Sequence, residues 1–308
     1  MTVAVIGLGA MGMGAARSCL RAGLATTGCD LREAARAEFV TAGGAACASP
    51  AEIPPGTEAV LLLVVNAAQT EAALFGEAGC AARMAPGGVV IASATMSPDD
   101  ARRLAAAAEA RGLLYLDAPV SGGAARAAAG EMTVMASGSP AAFDRAQPVL
   151  DAVASKVWRL GDAPGIGATV KVVHQLLAGV HIAVAAEAMA LGIRAGADPR
   201  QLYDVVTSAA GNSWMFENRM ARVLEGDDAH GAGGARPVQS AVDIFVKDLG
   251  LVAEMARGLD HPVPLASQAQ QLFTAASAMG HGRADDGFVI RVWQALTGIP
   301  LPGETAKG

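Results

Sequence analysis

Through the first half of the chain, short runs of consecutive apolar residues alternate with longer stretches of helical period. The runs fall at residues 3–6, 25–29, 59–65, 89–92, 113–116, 132–136 and 157–160, and each predicts a strand. Between most of them lie alanine-rich, helix-favouring stretches at 13–22, 33–42, 99–111 and 141–153. The runs are continuous and do not alternate with polar residues, as expected of parallel strands covered on both faces. Strand–helix alternation of this kind predicts a Rossmann-type, doubly wound α/β sheet. After Gly161-Asp162-Ala163-Pro164-Gly165 the strand signals stop, and helical period takes over at 168–195, 199–208, 214–224, 238–258, 264–278 and 287–296. Asp198-Pro199 has the form of an N-cap followed by proline at the first helical position. The pattern therefore divides the chain into an α/β domain, 1–162, and an all-α domain, 163–308, with a long inter-domain helix starting near Ala168. The glycine-rich stretch 226–235 reads as a loop.

Composition narrows the class. Of 308 residues, 52% are hydrophobic and 17% charged, which excludes intrinsic disorder and gives ample material for a core. The longest apolar stretch, 168–193, carries Lys171, His174, His181 and Glu187. It is therefore expected to be a buried helix and not a membrane span. A net charge of −6 without a lysine–arginine cluster argues against nucleic acid as a partner. No basic residue precedes Arg17, so a signal peptide is not expected. Four cysteines, Cys19, Cys29, Cys47 and Cys80, form no C-x-x-C pair, as expected of small core residues in a reducing cytosol. The expectation is a soluble cytoplasmic protein.

Gly7-Leu8-Gly9-Ala10-Met11-Gly12 sits between the first strand and the first helix. In that context Gly7 permits a tight turn, Gly9 lets the backbone approach a pyrophosphate, and Gly12 lets helix and strand pack closely. Amide groups at the helix start then face the phosphates. Asp30 ends the second strand at the spacing of a ribose-binding acid, about 20 residues after the loop. A carboxylate there binds the adenosine ribose and repels a 2′-phosphate, favouring NAD over NADP, with Arg32 close enough to soften the preference. The alternative is a simple turn followed by a solvated acid.

Lys171 stands in an otherwise apolar helical run and shares a face with His174, Gln175 and Ala178. A lysine without full hydration becomes useful for proton transfer near neutral pH. One that snorkels to solvent does not, and spacing alone leaves both readings open. A metal site is not expected: His174 and His181 would stand about 10 Å apart along a helix, too far for one metal. No G-x-S-x-G elbow marks a hydrolase.

Four separated motifs together resemble the β-hydroxyacid dehydrogenase family, which includes 3-hydroxyisobutyrate dehydrogenase and tartronate semialdehyde reductase. They are the glycine loop at Gly7–Gly12, Asp117-Ala118-Pro119-Val120-Ser121-Gly122-Gly123, Gly165-Ile166-Gly167-Ala168-Thr169-Val170-Lys171 and Lys247-Asp248-Leu249. The resemblance implies an NAD-dependent oxidation of a small hydroxy acid with Lys171 as general acid/base. It implies a substrate carboxylate on Ser121 and the amides of Gly122 and Gly123. It also implies cofactor contacts from Asn66, Thr95 and Lys247 in addition to Gly7–Gly12 and Asp30. Many family members have asparagine at one or both positions held here by His174 and Gln175. These two, with Asn212 as a weaker candidate, are expected to orient the hydroxyls of a polyhydroxylated acid. Imine reductases share the fold but usually lack the lysine, and a non-catalytic cofactor-binding module is disfavoured by the intact motifs. The family also implies a homodimer or homotetramer in which the long helix contributes to the interface.

Overall fold

The computed structural model describes residues 1–226 and 238–302. Apart from Gly226, the stretch 226–235 read as a loop lies outside the described residues. The chain divides into two compact units, Met1–Lys171 and Val172–Gly308, so the division falls inside the long helix.

In the first unit, β1 (Thr2–Ile6), β2 (Ala25–Cys29), β3 (Ala45–Cys47), β4 (Thr57–Leu62), β5 (Met84–Ala92) and β6 (Leu114–Asp117) lie in the order β3-β2-β1-β4-β5-β6. All are parallel, with Val5 paired to both Gly28 and Leu61. Helices α1 (Ala10–Arg21), α2 (Glu33–Thr41), α3 (Ala67–Phe75) and α4 (Pro98–Glu109) connect them. Alternate residues of β1 enter different cores, which explains its unbroken apolar run. Val3 and Val5 pack with Leu61 and Ile91, whereas Ala4 and Ile6 pack with Val60 and Val90. Reversal of strand order around β1 and β4 opens a crevice at the carboxyl ends of the strands, where such sheets bind ligands.

The sheet continues through β7 (Val120–Ser121), α5 (Gly123–Ala129), β8 (Met132–Ser137), α6 (Pro140–Val153) and β9 (Ala154–Gly161). Contrary to a uniformly parallel reading, β8 runs antiparallel to β6 and β7, and β9 then lies parallel to β8. The link from β7 to β8 holds only the short α5, and a parallel crossover needs a dozen or more residues. The long α6 supplies that crossover between β8 and β9.

Among its described residues, the regular elements of the second unit are helices. It takes most of α7 (Ile166–Arg194), with α8 (Pro199–Thr207), α9 (Trp214–Glu225), α10 (Val242–Gly258), α11 (Pro264–Ala276) and α12 (Arg291–Thr297). Asp198 caps α8 by accepting from the amides of Arg200 and Gln201, with Pro199 at the first turn. By length and composition alone α7 is apolar enough to cross a membrane. Its Val172, Ile182 and Met189 are nevertheless fully buried in a protein core with Phe245, Leu249 and Phe273. Gly179 is needed for close packing: a Cβ there would lie 2.9 Å from the Leu249 side chain. Two buried ion pairs, Arg219–Asp286 at 2.5 Å and Arg222–Asp285 at 2.6 Å, tie α9 to the segment before α12.

Candidate active site

The glycine loop has the geometry its spacing implies. Gly7 has φ +92°, and a Cβ on Gly12 would lie 1.7 Å from the Gly7 carbonyl oxygen, so α1 packs on the turn as only glycine allows. A Cβ on Gly9 would meet nothing within 4 Å, leaving open space in front of that backbone. Gly9 begins α1 without a side-chain cap, and the first turn contains no acid. Its amides and the helix dipole therefore favour an anion.

Asp30 holds this loop from the end of β2. Its Oδ2 accepts from the Leu8 amide at 2.8 Å, and its Oδ1 accepts from the Arg32 amide at 2.8 Å. The Arg32 guanidinium closes over the carboxylate at 3.1 and 3.2 Å and also donates to the Leu8 carbonyl at 2.9 Å. Burial pushes the Asp30 pKa upward, but hydrogen bonds from Arg32 and Leu8 outweigh it and the net shift is downward. An open cradle, uncapped amides and an ionised carboxylate at this position fit a dinucleotide.

Two other proposed cofactor contacts follow strands of the same sheet. Asn66 follows β4 and caps α3, its Oδ1 accepting from the Gln69 amide at 2.9 Å. Thr95, half-buried, follows β5 just before Ser97, which caps α4.

Ser121 ends β7. Gly122 and Gly123 follow with φ +136° and +69°, so two successive residues adopt a backbone that L side chains avoid.

Asp117, at the start of the same motif, has a different task. Only 2% exposed, it directs Oδ2 at the beginning of α7 and accepts from the amides of Gly165 and Ala168, both at 2.9 Å. Ser137 donates to the same oxygen at 3.2 Å and accepts from the Gly167 amide at 2.9 Å. Burial raises the Asp117 pKa against these opposing hydrogen bonds. The residues at the start of α7 are Gly165, Ile166, Gly167 and Ala168, none of which can cap a helix with its own side chain. With no capping side chain of its own, this helix start has its amides satisfied by Asp117 and Ser137 instead. Lys171, one turn further on, is 6% exposed, so the snorkelling alternative does not describe it.

His174 and Gln175 occupy the next turn of α7, in the second unit. Gln175 Nε2 donates to Asp248 Oδ2 at 2.5 Å, and Gln175 Oε1 lies 3.0 Å from His174 Nδ1. Lys247, on α10, places Nζ 2.6 Å from Asp248 Oδ1. His174, Gln175 and Lys247 are thus brought together around a carboxylate to which the sequence reading gave no role. Asn212 belongs to the α8–α9 connection, where Nδ2 donates to the Thr207 carbonyl at 3.2 Å and to Glu217 Oε2 at 3.4 Å. No group of three or more metal-ligating side chains occurs among the described residues.

The fold, the glycine loop and Asp30 are those of a dinucleotide-binding protein. Residues 2–161 match the family model for the NAD binding domain of 6-phosphogluconate dehydrogenase. Residues 165–293 match that for the NAD-binding domain of NADP-dependent 3-hydroxyisobutyrate dehydrogenase. The chain is 57% identical over 302 residues to L-threonate dehydrogenase of Cupriavidus necator, covering 98% of each. It is 33% identical to 3-hydroxyisobutyrate dehydrogenase of Pseudomonas aeruginosa, over 92% of this chain and 93% of the relative. A crystal structure described as 3-hydroxyisobutyrate dehydrogenase from Salmonella typhimurium superposes with a TM-score of 0.88 at 58% identity, covering 95% of this chain and 99% of that one. The chain belongs to the 3-hydroxyisobutyrate dehydrogenase-like family of β-hydroxyacid dehydrogenases and is a hydroxyacid dehydrogenase.

Proposed function

We propose that this enzyme oxidises L-threonate to its 2-oxo acid with NAD, with Lys171 as the acid/base. The burial of Lys171, one turn beyond a helix start held by Asp117, carries the chemistry. The substrate rests on the difference between 57% identity to a threonate dehydrogenase and 33% to a 3-hydroxyisobutyrate dehydrogenase. The Salmonella structure is itself 58% identical, so its description does not separate the two substrates.

In this reading Ser121 and the amides of Gly122 and Gly123 bind the substrate carboxylate. Lys171 Nζ takes the proton of the C2 hydroxyl and returns it in the reverse direction. Bound nicotinamide supplies the redox chemistry by accepting the hydride. The amides at the start of α1 hold the pyrophosphate, and Asp30 binds the ribose, favouring NAD.

The site acts in the cytoplasm on a small anion and takes no nucleic acid. A homodimer or homotetramer is supported by an exposed apolar stripe along α7, formed by Val170, Val173, Leu177, Val184 and Leu191. Lys171→Ala tests the chemistry. Turnover should fall about 10²–10⁴-fold while NAD binding, followed by fluorescence titration, stays intact. Near-normal turnover would remove Lys171 from this role.

A further inference from the structure

The order of polar groups in the second unit fixes more than their positions. Asp248 is 1% exposed and faces the Lys247 ammonium, the arrangement of an ionised carboxylate, which only accepts hydrogen bonds. Gln175, itself buried, must therefore present its NH₂ to Asp248 and its carbonyl oxygen to His174. A carbonyl oxygen also only accepts, so the proton of that contact sits on His174 Nδ1. In the neutral ring Nε2 is then the acceptor.

An amide between carboxylate and imidazole transmits orientation but carries no proton. The Asp248 charge is shared with Lys247 in the same cluster. Through this chain of bonds Asp248 fixes the direction in which the His174 ring faces.

We propose that Asp248 and Gln175 are positioning residues that hold His174 as its Nδ1–H tautomer, and that His174 Nε2 reads a substrate hydroxyl other than the one oxidised. The second half rests on the proposed oxidation of a polyhydroxylated acid; the first does not. Neither Gln175 nor Asp248 need touch the substrate.

The chain has five histidines, so selective ¹⁵N-histidine labelling of the full-length protein gives a small set of ring signals, and His174→Asn identifies those of His174. At neutral pH the wild type should show Nδ1–H; a dominant Nε2–H form or imidazolium overturns the tautomer lock. In Asp248→Asn the new amide can donate, Gln175 can turn round, and His174 should shift toward Nε2–H. If that buried substitution prevents folding, Gln175→Met serves instead and should leave His174 exchanging between tautomers. Retention of pure Nδ1–H in the folded variant overturns the assignment.

For the hydroxyl, His174→Asn should lower the ratio of kcat/KM for L-threonate to that for 3-hydroxyisobutyrate, which has a single hydroxyl, by about tenfold. An unchanged ratio overturns the reading of His174 as a hydroxyl acceptor. Absence of any wild-type turnover of L-threonate overturns the proposed substrate and the hydroxyl reading with it, while the ring signals still decide the tautomer lock.

Discussion

Asp30 carries two duties with one carboxylate. Toward the protein it holds the Leu8 amide and the Arg32 guanidinium; toward the proposed ribose it offers negative charge. Asp30→Asn keeps the shape and removes the charge, so the preference for NAD over NADP should fall about tenfold, the order of one charge-assisted hydrogen bond. Unchanged relative kcat/KM for the two cofactors would contradict the ribose role. The folded pKa is lowered, so the stabilisation by Asp30 is complete above the unfolded value of about 3.9 and is lost as pH falls through the folded value. The stability difference between wild type and Asp30→Asn, measured by denaturant unfolding, should therefore be largest near neutrality and close in acid. A difference that persists undiminished at about pH 2 would contradict this sign. At this scale the glycine loop and Asp30 were legible because a local turn and a fixed spacing determine them. Asp117 and Asp248 stood inside quoted motifs without a role, because their partners are 48 and 73 residues away. Only the folded chain brings those partners near.

Among the elements, α7 depends most on a distant residue. Asp117 on β6 and Ser137 on β8 together satisfy three amides at its start, those of Gly165, Gly167 and Ala168. Asp117→Ala leaves buried amides unpaired, at about 1–3 kcal/mol each, and loosens the turn that leads to Lys171. Unfolding midpoints should show a loss of about 2–4 kcal/mol, with kcat reduced in the protein that remains folded. A loss below about 0.5 kcal/mol would mean the cap is dispensable. Most strands and helices were readable because a strand covered on both faces leaves an unbroken apolar run. β3 was not, since Ala-Ala-Cys is too short and too small in side-chain volume to stand out. α3 was missed next to the apolar end of β4, where a nine-residue helix adds only about two turns of period. The antiparallel direction of β8 was hidden for another reason: apolar runs report burial and carry no strand polarity.

At the level of the whole molecule, an α/β half is followed by a helical half with a core of its own. The passage from strand to helical period separates the two halves in the sequence, although the compact units part inside α7, where periodicity gives no signal because the helix is continuous. The exposed stripe on α7 belongs to this scale as well. Leu177→Glu, placing a charge in the middle of that stripe, should shift the protein to a smaller species in light scattering while leaving its circular dichroism unchanged. An unchanged mass would rule out α7 as the interface.

The initial rate of NADH formation with purified wild-type protein tests the proposed reaction most directly. The panel is L-threonate, D-threonate, D-erythronate, 3-hydroxyisobutyrate and D-glycerate, each with NAD and with NADP. Turnover of L-threonate with NAD should be strong, and turnover of the others much weaker. Preferential turnover of 3-hydroxyisobutyrate or D-glycerate would contradict the substrate while keeping the chemistry. Absence of turnover across the panel, with NAD binding confirmed, would contradict the proposed reaction.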